Sequence, residues 1–177
     1  MVERRTGVRL DPAWLDRPHA TVLLSKRIEE DPHPPGMFAA ADPDLAAVFL
    51  MADERARRDA LHWVLGMVAD ERDLRAETLV TAVLDALVDG WPSGEELSRQ
   101  AYTLQMRLTD AMDASPGGSP ERWQRYYRLR AAEAFAATVV DAGNRPGPSE
   151  ALWYAQQTLQ ERWPDIRAEL WRRARSS

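Results

Sequence analysis

Arginine and aromatic side chains alternate along residues 121–130, ERWQRYYRLR, and this segment has the residue types best suited to binding chemistry. Three arginines stand three residues apart with aromatic rings between them, namely Arg122, Arg125 and Arg128 with Trp123, Tyr126 and Tyr127. Because arginines contact phosphates and aromatic rings stack on bases, the segment is a candidate nucleic-acid contact. A second basic group follows later in the sequence, at Arg167, Arg172, Arg173 and Arg175.

The same segment also has an interpretation without nucleic acid. Trp123 and Tyr127 would then lie in a helical core, and the arginines would be solvated or paired with acids from the first half of the chain. The net charge of −5 gives no general attraction to nucleic acid, although it divides unevenly into −8 over residues 1–96 and +3 over residues 97–177. We therefore do not favour nucleic acid as a partner.

The seven tryptophans are the second feature that bears on binding. Large aromatic side chains near helix ends either close a core or form the anchor of an interface, where Trp, Tyr and Arg are enriched. Sequence alone does not separate these two roles. The candidate interface residues are Trp123, Tyr126, Arg122, Arg125, Arg128, Trp153 and Trp171.

Catalytic residue patterns are scarce. Asp59 and His62 form an acidic-x-x-His pair, which is a candidate for a metal site, but three histidines cannot complete a di-metal centre with two such pairs. The simpler interpretation is a helix histidine paired with Asp59 one turn back. The chain has no cysteine and no glycine-rich phosphate-binding motif, so we predict no cofactor and favour a protein that is not an enzyme.

The elements that must position these residues are predicted to be helices. Residues 42–70 carry apolar side chains at alternating spacings of three and four, which predicts one long helix or two helices broken near 52–55. Asp42 and Ser119 are predicted N-caps, and Ser93 with Glu96 has the spacing of a capping box. We predict an all-α, single-domain antiparallel bundle of six or seven helices over residues 17–177, preceded by an irregular segment over residues 1–16.

Composition indicates the general class of protein. A chain of 177 residues suits one domain, and it contains no apolar run long enough to cross a membrane and no apolar N-terminal leader. Lys26 is the one lysine among 23 basic residues, which is typical of a GC-rich bacterial genome. These features predict a cytoplasmic bacterial protein without a membrane partner.

Three functional hypotheses follow. The first is a non-enzymatic protein-interaction module, such as an adaptor, an immunity-type inhibitor or an assembly factor, that binds a protein partner or forms a homo-oligomer. The second is a small-molecule-binding or metal-assisted enzyme with a pocket between helices, in which Asp59 and His62 take part. The third is a helical nucleic-acid-binding protein that uses the arginines of residues 122–130.

Overall fold

The computed structural model describes residues 37–139 and 148–175, and within these ranges the chain is built from helices without strands. The predicted all-α helical bundle is therefore confirmed. Seven helices of nine or more residues and one shorter helix lie in the described ranges. They are α1 (Met37–Ala41), α2 (Pro43–Met51), α3 (Glu54–Glu71), α4 (Thr78–Asp89), α5 (Glu95–Asp113), α6 (Pro120–Thr138), α7 (Pro148–Leu159) and α8 (Trp163–Ala174), with a 3-10 turn, Gln160–Arg162, between the last two.

The predicted boundary between an irregular segment and a helical domain, at residues 16 and 17, lies outside the described residues. The described residues belong to one compact unit, residues 36–177. None of the helices in the described ranges has both the length and the apolar content needed to cross a bilayer.

The long helix expected over residues 42–70 is two helices, α2 and α3, which are separated at Ala52 and Asp53. Asp42 caps α2 as predicted, because its carboxylate accepts a hydrogen bond from the backbone N–H of Leu45 at 3.2 Å. Asp53 repeats this arrangement and accepts from the N–H of Ala56 at 2.7 Å. The second cap satisfies an N–H group at the new helix start and so permits the break.

Helix α3 lies at the centre of the core. Six of its side chains are fully buried, at Ala60, Leu61, Val64, Leu65, Val68 and Ala69. Trp63 and Met67, two further apolar side chains of this helix, are only partly buried and pack against the edge of the core. Helix α6 packs against α5 and against α7, and it contributes the fully buried Phe135 to the same core.

The capping box predicted at Ser93 and Glu96 is not formed. Gly94 takes the N-cap position of α5 with φ of +113°, a left-handed conformation that glycine adopts without steric cost, and no side chain caps this helix. The Glu96 carboxylate instead accepts hydrogen bonds from Arg99 and Gln100 on its own helix. The helix begins at Glu95, so Glu96 is not placed to reach back to the residue that would cap it.

Candidate functional site

Three aromatic rings near the start of α6 contact one another and form what we call the aromatic cluster, Trp123, Tyr126 and Tyr127. The Trp123 ring stacks on Tyr127 with centroids 6.3 Å apart and an interplanar angle of 29°, and it meets Tyr126 edge-on at 5.8 Å. The two tyrosine rings meet edge-on at 5.3 Å. These are favourable geometries for aromatic pairs. The spacings i, i+3 and i+4 place all three rings on one side of the helix.

Two arginines support the aromatic cluster from neighbouring positions. Arg72, at the end of α3, lies 5.1 Å from the Tyr127 ring centroid and donates a hydrogen bond to the carbonyl of Thr158 on α7 at 2.7 Å. Arg130 lies 4.8 Å from the Tyr126 ring centroid and 5.7 Å from that of Tyr154 on α7. Cation–π contacts of this kind connect the cluster to α3 and α7.

Trp123 is the exposed member of the aromatic cluster. Its surface is 55% exposed, whereas Tyr126 and Tyr127 are half-buried. The predicted interpretation that placed Trp123 in the core is therefore wrong, because the buried side of α6 is formed by Leu129, Ala132 and Phe135. The result is a large apolar side chain held in the solvent by the two rings beneath it.

The three arginines considered for phosphate binding are used within the fold. Arg122 donates to the carbonyls of Met112 and Ser115 at 3.1 and 3.2 Å, and Arg125 donates to the carbonyl of Ala111. The carbonyls of Ala111 and Met112 lie in the last turn of α5, where a helix exposes acceptors and the negative end of its dipole, and that of Ser115 lies just beyond the helix end.

Carboxylates complete the pairing of the same three arginines. Arg122 lies 3.3 Å from Asp113, Arg125 lies 2.5 Å from Glu121, and Arg128 lies 3.6 Å from Glu77. Glu77 also accepts from Arg107 of α5 at 2.6 Å. The predicted pairing with acids from the first half of the chain is found for Arg128, which pairs with Glu77, whereas Arg122 and Arg125 pair with Asp113 and Glu121 of the second half. Nucleic-acid binding receives no support from these contacts.

Trp153 and Trp171 lie on α7 and α8, away from the α6 segment in the sequence. Both are half-buried and pack against the core. Trp171 also lies beneath the guanidinium group of Arg167, 5.7 Å from its ring centroid. Of the predicted interface tryptophans, Trp123 thus has by far the most exposed surface.

The candidate metal pair, Asp59 and His62, lies on the outer surface of α3. Both side chains are exposed, and Asp59 is 3.9 Å from Arg55. Within residues 37–139 and 148–175, no three His, Cys, Asp or Glu side chains are grouped so that they could hold a metal ion. His19 and His33 lie outside the described residues.

The second basic group contains a contact that the sequence did not predict. Arg167 of α8 is buried and donates two hydrogen bonds to Asp42, at 2.5 and 2.8 Å, so the cap of α2 is also half of an ion pair. Asp44 is buried nearby; burial raises its pKa, and the charge of Asp42 raises it further while Arg167 lowers it. Arg172 and Arg173 both pair with Glu169.

Glu133 and Tyr154 occupy the boundary between α6 and α7 beside Arg130. Burial raises the pKa of Glu133, although the charge of Arg130 and a 2.6 Å hydrogen bond from it act in the opposite direction. The pKa of Tyr154 is also raised, by burial and by the negative charges of Glu133 and Glu150, against the charge of Arg130. Arg130 therefore serves as the shared counter-charge of this boundary.

Replacing Glu133 with glutamine is expected to raise the free energy of unfolding at neutral pH. Because folding raises its carboxyl pKa above 4.5, the stabilisation that Glu133 provides is present below pH 4.5 and is lost as the pH rises through the folded-state pKa. The glutamine side chain does not titrate in this pH range, so the variant's higher free energy of unfolding should fall to that of the unmodified protein as the pH is lowered. Urea unfolding of both proteins over a range of pH measures the difference.

Glu169 provides the control of opposite sign. Hydrogen bonds from Arg172 and Arg173, and their charges, lower its pKa to about 2, so its stabilisation is present above pH 4.5 and is lost as the pH falls toward 2. Glu169→Gln should therefore be less stable than the unmodified protein at neutral pH. If the free energy of unfolding changed with pH in the same way in both variants, the opposite pKa shifts assigned to Glu133 and Glu169 would be contradicted.

Comparison with known proteins adds no functional information. No family model matches the chain, and neither the curated proteins nor the solved structures that were searched gave a match. The functional argument therefore depends on the side-chain geometry, in which Trp123 of the aromatic cluster keeps 55% of its surface exposed while two neighbouring rings contact its indole.

Proposed function

We propose that this chain is a non-enzymatic protein-interaction module that binds a protein partner through the aromatic cluster, with Trp123 as the anchor. The observation that carries the proposal is the exposure of Trp123, 55%, together with its stacking on Tyr127 and its edge-on contact with Tyr126. Tryptophan, tyrosine and arginine dominate the residues that contribute most to protein–protein affinity. A large aromatic side chain left in water has the strongest tendency to be covered by a partner.

The support for Trp123 favours binding because it reduces the entropy lost on association. An exposed side chain that is already ordered gives up less rotamer freedom when a partner immobilises it. Tyr126 and Tyr127 order the indole ring, and Arg72 and Arg130 order the tyrosines in turn. The cluster is thus organised before the partner arrives.

The charges around the cluster indicate the chemistry of the partner. Arg125 pairs with Glu121 and Arg130 pairs with Glu133, so the neighbouring cations have their counter-charges within the chain. A partner protein with an apolar pocket for the indole ring suits this surface better than a strongly charged nucleic-acid strand does. Binding should accordingly change little with salt concentration, in contrast to nucleic-acid binding, which weakens steeply.

Replacing Trp123 with alanine is expected to weaken partner binding by about 30-fold or more, since hot-spot residues contribute about 2 kcal/mol or more. The partner is first identified by native mass spectrometry of the tagged protein purified gently from its own host. Affinities of the variants for that purified partner are then measured by calorimetry at low and high salt.

Val88→Ala is the matched control, because Val88 is 64% exposed and lies on α4 rather than in the aromatic cluster. The proposal requires that this variant bind as the unmodified protein does. Equal affinity of the Trp123→Ala variant and the unmodified protein would refute the proposal, and so would binding that collapses at high salt. A ligand or metal found on a chain without a protein partner would favour the small-molecule or metal-assisted alternative.

A further inference from the structure

The outer surface of α5 carries a second apolar patch, separate from the aromatic cluster on α6. Tyr102 and Met106 are 65% and 43% exposed and lie one helical turn apart. They are opposite the buried side of the helix, which is formed by Ala101, Leu104 and Leu108. The exposed stripe continues along the helix in both directions and consists of Glu95, Arg99, Tyr102, Met106, Asp110 and Asp113, which we call the α5 stripe.

The two charged residues next to the apolar centre of the α5 stripe have opposite signs. Arg99 precedes Tyr102 by three residues, and Asp110 follows Met106 by four. The basic and acidic groups therefore stand about 16 Å apart on one helix face, at about 1.5 Å per residue. Two such helices side by side in the same direction would place Arg99 against Arg99 and Asp110 against Asp110. Two in opposite directions would place each Arg99 against an Asp110.

We propose that the α5 stripe is a self-association surface, on which the α5 helix of a second copy of this chain lies antiparallel. In this arrangement the Tyr102 ring packs against Met106 of the second copy, and the two-fold symmetry repeats the contact. A methionine sulfur at the edge of an aromatic ring is a favourable contact. Arg99 of each copy pairs with Asp110 of the other, which selects the antiparallel direction by charge complementarity.

Two other contacts of the stripe act against this pairing, and each is reduced within the chain. Arg99 already contacts Glu96 on its own helix, but both side chains are more than half exposed, and a pair of this kind contributes little. The register also brings Glu95 toward Asp113 of the second copy, and Arg122 lies 3.3 Å from Asp113 and offsets its charge.

A contact between single helices covers less surface than the roughly 1,200–2,000 Å² of stable complexes, so self-association should be weak and dependent on protein concentration. The α5 stripe is carried by a different helix from Trp123, and the proposal does not depend on the partner proposed above. A failure of one proposal therefore leaves the other standing.

Charge exchange across the two-fold axis tests the proposal with the intact chain. Arg99→Asp alone or Asp110→Arg alone would place like charges together, and each should raise the self-dissociation constant, measured by sedimentation equilibrium, by about tenfold. The double variant R99D/D110R restores opposite charges at both contacts and should return the constant to nearly that of the unmodified protein. Circular dichroism confirms that each variant is folded, as expected for exposed positions.

Trp123→Ala is the control, because it alters the aromatic cluster and leaves the α5 stripe intact. Under the proposal this variant self-associates like the unmodified protein. The proposal is overturned if the unmodified protein stays monomeric up to the highest soluble concentration, if the single and double charge variants have equal constants, or if Trp123→Ala abolishes self-association.

Discussion

Replacement of Arg167 by methionine is expected to lower the free energy of unfolding by about 3–5 kcal/mol, the usual cost of removing one partner of a buried ion pair. Arg167 and Asp42 are almost completely enclosed, with side chains 11% and 6% exposed. Methionine keeps part of the unbranched stem but leaves the Asp42 carboxylate buried without its guanidinium partner. The negative charge of Asp44 nearby makes that state still less favourable.

Urea unfolding at neutral pH measures this loss, and Arg162→Met is the matched control. Arg162 also forms a long-range ion pair, with Glu71 at 2.9 Å, but its side chain is 54% exposed. The control should cost less than about 1 kcal/mol, since exposed ion pairs contribute little. If the two variants lost similar amounts of unfolding free energy, burial of the Arg167 ion pair would not be the cause of the loss.

A second variant separates the lost charge partner from the lost packing. Asn is as good an N-cap as Asp, so Asp42→Asn retains the cap of α2 while it removes the buried negative charge. The double variant D42N/R167M should therefore recover much of the stability lost by Arg167→Met alone. If the double variant is no more stable than Arg167→Met, packing around the arginine stem rather than the unpaired carboxylate explains the loss.

Replacement of Phe135 by alanine should have an effect of similar size, about 3–5 kcal/mol, because it opens a cavity in the core. Phe135 has no exposed surface and lies on α6, which packs against both α5 and α7. Phe135→Leu fills part of the space and should cost less. Thermal unfolding followed by circular dichroism gives the comparison, and equal losses for both variants would contradict the cavity argument.

The Phe135→Ala variant also tests whether the effect of Trp123→Ala on binding is local. Both residues lie on α6, but Phe135 faces the core and Trp123 faces the solvent. Under conditions in which the Phe135→Ala variant remains folded, we expect it to bind the partner like the unmodified protein. Loss of binding in both variants would mean that the integrity of α6, rather than the indole surface, determines affinity.

The sequence predicted the helical elements well because their signals are local. Asp42 and Ser119 cap α2 and α6 as expected, because their side-chain oxygens accept hydrogen bonds from the backbone N–H groups three residues later. The sequence left open whether residues 42–70 form one helix or two. The apolar stripe runs without interruption through the segment and favours one helix, whereas the cap formed by Asp53 favours a second helix start. Ser93 failed as a cap because the adjacent Gly94 adopts the left-handed conformation at that position.

The candidate site was predicted less completely because its decisive contacts join distant parts of the chain. The spacing of Arg122 and Arg125 could not show that the carbonyls at the end of α5 would accept their hydrogen bonds. Asp42 and Arg167 are separated by 125 residues, and neither has a local pattern that points to the other. Trp123 was named as a candidate from its residue type and its place near a helix end, but its exposure depends on how α6 packs against α5 and α7, which the sequence does not specify.

The span between Asp42 and Arg167 has a consequence for the kinetics of folding. Bringing together residues 125 positions apart costs more chain entropy than joining consecutive helices such as α5 and α6. We therefore expect the helix hairpins to form early and the buried ion pair to close after the main barrier. A contact made after the barrier changes the unfolding rate rather than the folding rate. The Asp42–Arg167 pair would then determine the lifetime of the folded state more than the rate at which the chain folds.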